Sequence, residues 1–382
     1  MTLVVAPDGA YHRCTRCVMD TTAREIEFDD FGYCNYCTEF LTRAGHELFK
    51  STEERNKEYE QLIDRVKANG LGKPYDCIMG VSGGVDSSWA VVQAVRSGLR
   101  PLAVHMDNGW NSELAQSNIE NLVRKLGIDL FTYVIDWDEY RYLMQSFFDA
   151  DVIDIELLYD NAMCAVNFQQ ARERKTHFIL AGTNLATEGM RIPPAWNWLK
   201  YDKRNIKALR RTYDRGSMKS FPAIGTIGYV WNISARRIKW VSFLDYTDYN
   251  KARAIENLVR DFNYKPYPHK HYESVFTRLY MGYILPTKFN VDMRKVDFSN
   301  LIVSGQMSRE EALTALQSDP YPSQEDLDRD IAYFLKKLGW SRVQWDDYLV
   351  RPERPHSDYA SERSRYNAFR GLGRRLRTGT TE

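Results

Sequence analysis

Hydrophobic and polar positions divide the chain into stretches of different period. Between residues 51 and 67, Glu53, Glu54, Lys57, Glu58, Asp64 and Arg65 interleave with Tyr59, Leu62, Ile63 and Val66, which predicts an amphipathic helix stopped by Gly70. Beyond Lys73-Pro74 the pattern changes. Short apolar runs at 77–81, 101–105, 130–135 and 177–181 alternate with helix-like segments at 87–97, 113–126 and 155–174. Such alternation implies parallel strands joined by crossover helices, an α/β domain with a doubly wound parallel sheet. Residues 224–232 and 238–243 read as further strands, and 245–262 returns to helix. From about 274 to 349 the chain is mainly helical, broken near Pro286 and Pro320, with Ser308-Arg309-Glu310-Glu311 resembling a capping box. The last residues, rich in arginine from Arg363 to Arg377, read as a poorly ordered basic end.

The first strand empties into Gly80-Val81-Ser82-Gly83-Gly84-Val85-Asp86-Ser87-Ser88 before an apolar helix begins. Two glycines let backbone N–H groups close on a ligand, the serines add hydroxyl donors, and a helix N-terminus adds partial positive charge. The stretch is an anion site, and phosphate is its expected guest. It lacks the lysine of a Walker A loop, so γ-phosphoryl transfer is disfavoured. Two other strand ends should converge on it, His105–Trp110 and Gly182–Glu188, because ligands of such sheets bind beyond the strand C-termini. His105, Asp107, Gly182 and Thr183 are therefore candidate nucleotide contacts. Asp86 and Glu188 are candidate ligands for a magnesium ion bridging phosphates, which needs only one or two protein carboxylates.

Four of the six cysteines stand as Cys14-x2-Cys17 and Cys34-x2-Cys37, the spacing of a closed tetrahedral zinc site with a structural role. Phe28, Phe31, Tyr33 and Tyr36 would form its small apolar core. Cys77 and Cys164 read as core residues. Composition adds exclusions: 52 basic against 51 acidic residues give no overall field for nucleic acid or membrane, and no apolar run reaches the length of a membrane span. A cytoplasmic protein without membrane insertion is expected. Locally, Lys200 to Lys219 is a basic run beside Trp196 and Trp198, suited to nucleic acid, to the diphosphate of a nucleotide sugar, or to a plain solvated face. His269, His271 and Glu273 alternate on a segment that suits hydrogen bonding to substrate better than a metal.

The expected organisation is a zinc knuckle at 1–50, a linker helix at 51–73, a nucleotide domain at 74–263, a helical substrate or partner region at 264–350 and a basic tail at 351–382. The Ser82–Ser88 loop closely resembles that of the PP-loop ATP pyrophosphatases, with their adenine nucleotide hydrolase-like sheet. With the cysteine knuckle, His105–Trp110, Gly182–Glu188, Tyr283–Lys295 and Gly305–Ala312 added, the chain resembles N-acetyl sugar amidotransferases of surface-polysaccharide biosynthesis. That resemblance implies ATP, magnesium and structural zinc, and replacement of an acetamido oxygen on a nucleotide-linked N-acetyl sugar by ammonia, as in O-antigen synthesis. It also implies that ammonia comes from a separate glutaminase with a channel subunit. Asp86, Lys288 and His271 would serve catalysis, and Asn184, Lys203, Arg204 and His269 would contact the sugar nucleotide. The alternatives are a PP-loop tRNA thiolase, disfavoured by the missing sulfur-carrying cysteines, and a non-catalytic nucleotide- or nucleic-acid-binding subunit.

Overall fold

The computed structural model describes residues 11–267 and 272–378. In chain order the elements are α1 (Asn35–Leu48), α2 (Thr52–Gly70), β1 (Cys77–Gly80), α3 (Val85–Arg96), β2 (Pro101–Asp107), α4 (Glu113–Leu126), β3 (Leu130–Val134), α5 (Trp137–Asp149), α6 (Leu157–Glu173), β4 (Phe178–Ala181), α7 (Leu185–Glu188), α8 (Lys203–Thr212), α9 (Thr226–Ser234) and β5 (Lys239–Ser242). The helical remainder comprises α10 (Lys251–Phe262), α11 (Val275–Leu279), α12 (Leu285–Phe289), α13 (Arg294–Val303), α14 (Arg309–Ala315), α15 (Gln324–Leu338), α16 (Arg342–Val350) and α17 (Arg363–Thr378).

The five strands are all parallel, in the order β3-β2-β1-β4-β5. Alternate residues of each strand feed opposite layers, as the pleat requires. Ile78, Leu102, Val104, Met106 and Ile179 meet the aromatic core of α5, α6 and the C-terminal helices, including Phe148, Phe168 and Phe334. Cys77, Met79, Ala103, Phe178 and Leu180 meet Leu62, Val91, Ile119 and Leu258 of α2, α3, α4 and α10. Burial on both faces explains why these strands read as unbroken apolar runs. The chain winds outward from β1 through β2 to β3, then returns to β4 on β1's other side, so the topological switch point lies between β1 and β4.

Several expectations need correction. Residues 226–234 form helix α9, not a strand: Thr-Ile-Gly-Tyr-Val-Trp has strand-like propensity, but Tyr229 stacks on Tyr201 at 3.7 Å and buries the segment as a helix. The basic end forms helix α17, with Glu362 accepting the Thr226 N–H at the joint with α9. Helix α5, whose N-cap Asp136 accepts from Glu139 N, has no counterpart in the sequence reading. The cysteine knuckle is tied to the C-terminal helices. Arg309 of α14 donates to the Cys14 and Cys17 carbonyls at 2.9 and 3.0 Å, and Lys295 of α13 pairs with buried Asp20 at 2.6 Å. Phe31, expected in its core, is exposed, while Phe28 and Tyr36 are buried. Among the described residues no helix is long and apolar enough to cross a membrane.

Candidate active site

The loop after β1 takes its shape from two forced glycines. Gly83 has φ +85°, and a Cβ there would stand 2.8 Å from the Ala115 carbonyl of α4. Gly182, at the end of β4, packs so closely on α3 that a Cβ would stand 2.6 Å from Ser87 N. Only glycine lets β4 approach the first turn of α3, which is what brings the two strand ends together. Hydroxyls hold the turn between them. Ser82 Oγ accepts from Gly84 N at 3.2 Å, Ser87 Oγ accepts from Ser82 N at 3.3 Å, and Gly84 is the N-cap of α3. Amides of the loop and of the first helical turn thus face one concavity, an anion-binding arrangement.

That concavity is one end of a cavity of about 810 Å³. Gly80, Ser82, Gly84, Val85, Asp86, Ser87, Gly182, Thr183 and Glu188 line it, and Thr277, Tyr280, Met281, Leu285, Arg294 and Asp297 of the C-terminal helices close its far side. Tyr280–Ile284 is a π-helical turn between α11 and α12, an irregularity that often accompanies a site. Asp86 accepts a hydrogen bond from Tyr249 Oη and, with Glu188, presents carboxylate to the cavity, which fits a magnesium–phosphate ligand.

Other expected residues sit elsewhere. His105 and Asp107 do not line the cavity: His105 Nδ1 donates to the Val81 carbonyl at 3.0 Å, and both side chains accept from Asn111 Nδ2, at 3.1 and 3.2 Å. They position Asn111, which does line it. Gly83 and Ser88 stand behind the loop, Ser88 being buried. Asn184 caps α7 through Thr187 N at 2.8 Å and is 4% exposed, so its amide serves the fold. Lys203 binds the Ala223 carbonyl at 3.2 Å and Arg204 is exposed, both on α8 away from the cavity. Lys288 is enclosed: it pairs with Asp151 at 3.0 Å and donates to the Tyr348 and Arg351 carbonyls at 2.7 Å each. Two of its N–H bonds tie α12 to α16 and its C-cap and the third ties it to Asp151 in the turn after α5, so its charge is spent on structure. His269 and His271 lie outside the described residues, while their neighbour Glu273 lines the cavity.

The wall that sequence reasoning missed is α6. Glu156, Tyr159, Asp160, Met163 and Asn167 recur at helical spacing along its cavity face. Lys200 reaches in between Asp154 at 2.7 Å and Asp160 at 2.9 Å, and Thr277 Oγ1 donates to Glu156 Oε1 at 2.9 Å. Burial and then Asp160 push the Glu156 carboxyl up to about 8, and burial raises Asp160 as well. Burial opposes the charge on Lys200, but Asp154 and Asp160 outweigh it and hold the ammonium well above its usual range. A signal existed: α6 buries Asn161, Asn167 and Gln170 among its apolar residues, and buried polar groups mark function more often than exposed ones.

At the knuckle the four thiols of Cys14, Cys17, Cys34 and Cys37 are fully buried and lie within 4.8 Å of one another. The Cys14–Cys37 and Cys17–Cys34 sulfurs are 3.8 and 3.7 Å apart, the edge of a tetrahedron with metal–sulfur bonds of about 2.3 Å and far too long for disulfides. Cys17 N and Cys34 N point at Cys14 Sγ at 3.4 and 3.2 Å, donors that favour thiolate. The cluster could hold zinc in a closed, structural coordination.

Comparison with known proteins adds the following. No curated protein matches the chain. Among solved structures, an NMN synthetase from Francisella tularensis is 18% identical, with a TM-score of 0.28 over 57% of this chain and 99% of its own. An NH3-dependent NAD synthetase from Campylobacter jejuni, in complex with the nitrate ion, is 13% identical, with a TM-score of 0.27 over 56% and 98%. Residues 273–373, which supply the far wall of the cavity, match the family model of the C-terminal domain of WbpG-like LPS biosynthesis proteins. The C-terminal region of this chain is therefore similar to that of a lipopolysaccharide-biosynthesis family.

Proposed function

We propose that the protein is an ATP-dependent amidotransferase that converts the acetamido group of a nucleotide-linked N-acetyl sugar to an acetamidino group, releasing AMP and pyrophosphate, in the synthesis of a surface polysaccharide. The carrying observation is the joining in one cavity of an anion loop at the β1/β4 switch point and a wall formed by the WbpG-like C-terminal helices. An amide oxygen is a poor leaving group. It becomes a good one by attacking the α-phosphorus of ATP, so that pyrophosphate leaves first and AMP leaves when ammonia adds to carbon.

In this reading the amides of Gly84 to Ser87 and the Ser82 hydroxyl hold the departing pyrophosphate, where one such donor is commonly worth about 10²–10³ in rate. Asp86 and Glu188 would hold magnesium, which supplies positive charge to the phosphates. Tyr249 orients Asp86, and Asn111 borders the same end. The reading also takes ammonia from a separate glutaminase and channel subunit.

A tRNA thiolase fits the cavity less well: among the described residues no cysteine lines it, and burial pushes the Cys164 thiol up to about 12. The test is incubation with ATP, ammonium and UDP- or CMP-linked N-acetyl sugars, followed by mass analysis. AMP, pyrophosphate and a sugar in which NH has replaced O are expected. AMP formation indifferent to the sugar would refute the reading.

A further inference from the structure

Helix α6 buries three amide side chains, and their bonding differs. Asn161 is satisfied at both ends: Nδ2 donates to the Lys200 and Ile224 carbonyls at 2.7 Å each, and Oδ1 accepts from Ile224 N at 3.0 Å. Gln170 does not line the cavity. Asn167 does, and its Nδ2 donates to the Met163 carbonyl at 2.9 Å, which fixes which way the amide is turned. Its Oδ1 is left buried, on a residue 2% exposed, with no hydrogen-bond partner. Among the described residues, no other side chain lining the cavity carries a buried nitrogen or oxygen without a partner. An asparagine inside a helix and an unpaired buried acceptor both disfavour folding, which points to a ligand that brings an N–H or O–H.

Gly80, the last residue of β1, fixes the place of that oxygen. A Cβ built on Gly80 would stand 3.5 Å from both Oδ1 and Nδ2 of Asn167. The sheet beneath offers no side-chain donor: Gly80 is in register with Val104 of β2, and Ile78 with Ile179, which sets Ala181 of β4 on the other side of Gly80. A water there would find few of the polar partners it needs. Ser82, where the phosphate cradle begins, is two residues on, no more than about 7 Å along the chain. In a planar trans amide the N–H points away from the carbonyl oxygen, so hydrogen-bonded amides repeat at about 4.8 Å. An amide that donates to Oδ1 therefore carries its own oxygen toward the cradle by nearly the span that separates the two.

We propose that Asn167 recognises the acetamido group of the acceptor, Oδ1 accepting its N–H and so presenting its carbonyl oxygen to the α-phosphorus of ATP. The inference rests on the amidotransferase reading and names the residue that selects the acceptor within it. In the adenylation step the carbonyl oxygen bonds to the α-phosphorus, and the bond from phosphorus to pyrophosphate breaks with its electron pair leaving on pyrophosphate. The nitrogen lone pair shifts toward carbon, so positive charge grows on the N–H while no proton moves. The bond to Oδ1 strengthens as that charge develops, and an interaction that is stronger in the transition state raises the rate. An acetyl ester brings no donor and leaves Oδ1 unpaired, so the site prefers amide to ester.

The test uses the full chain with UDP-N-acetylglucosamine and the other UDP- and CMP-linked N-acetyl sugars, each beside its O-acetyl counterpart, in which oxygen replaces the N–H. Calorimetry with magnesium and α,β-methylene-ATP compares binding, and acceptor-dependent ATP–pyrophosphate exchange without ammonia reports adenylation. Wild type should bind the active N-acetyl sugar about 10–100-fold more tightly than its O-acetyl counterpart. Asn167→Leu should raise KM for that acceptor about 10–100-fold and lower the exchange kcat, with KM for ATP within about threefold and the preference for amide over ester lost. Its melting temperature should hold or rise, because an unpaired acceptor has been replaced by an apolar group of similar size. Equal binding of amide and ester by wild type, a preference that survives in Asn167→Leu, or a KM for ATP that rises as much as that for the acceptor would overturn the assignment while sparing the reaction. Absence of exchange in the wild type with every acceptor would overturn both.

Discussion

The two ends of the cavity are built on opposite principles. The phosphate end is main chain: amides at a helix N-terminus, shaped by Gly83 and Gly182, with hydroxyls that order the turn. The α6 end is side chain, with carboxyls at Glu156 and Asp160, one lysine between two acids, and an amide oxygen at Asn167. In the proposed reading the backbone cradle takes the phosphates of ATP, a group that does not distinguish one acceptor from another. Side chains from one helix can vary independently of the fold, which is where a choice of acceptor belongs.

The contrast can be broken most forcefully at Asp86. Asp86→Ala should abolish AMP formation, measured by chromatography, while circular dichroism stays native; undiminished turnover would remove the magnesium role. Next is the knuckle, which grips α13 and α14. Cys14→Ser should release metal and lower the melting temperature by on the order of 10 °C. Because it loosens the C-terminal wall, KM for the sugar should rise more than KM for ATP. Gly182→Val forces a side chain against α3 and should raise KM for ATP roughly 10–100-fold, with little change in KM for the acceptor. Equal effects on both would erase the distinction between the ends.

Smaller effects concern pH. The Glu156 carboxyl is raised on folding from about 4.3 to near 8, so the native state binds more protons across that window and stability falls as pH rises through it. His356, buried against Trp198, is lowered by burial to about 4, so its contribution runs the other way and stability falls as pH drops from about 6.5 toward 4. Removing the first should unmask the second. Glu156→Gln should show a steeper acid loss than wild type and a melting advantage that grows from pH 5 to pH 9. Last, Lys203→Ala with Arg204→Ala, on the outer face of α8, should leave both KM values within about twofold.

Legibility in the sequence follows the same division. Gly-Gly turns, paired cysteines, two-faced apolar strands and the Ser308–Glu311 capping box are local patterns with one physical meaning, and the structure carries each of them. Glu156, Asp160 and Asn167 are meaningful only through what faces them from α11 and from the loop holding Lys200, contacts distant in sequence. Lys288 shows the converse: a lysine beside a suggestive motif is enclosed by carbonyls of α16 and its C-terminal cap. Helix α9 reads as a strand because β-branched and aromatic residues favour strands in isolation, whereas here packing decides.

The central claim is that the cavity couples cleavage of ATP between the α- and β-phosphates to modification of a sugar amide. Acceptor-dependent exchange of labelled pyrophosphate into ATP, with no ammonia present, measures that coupling alone. The account predicts exchange that requires an N-acetyl sugar nucleotide and disappears in Asp86→Ala. Exchange without any sugar, or persisting in that variant, would contradict it.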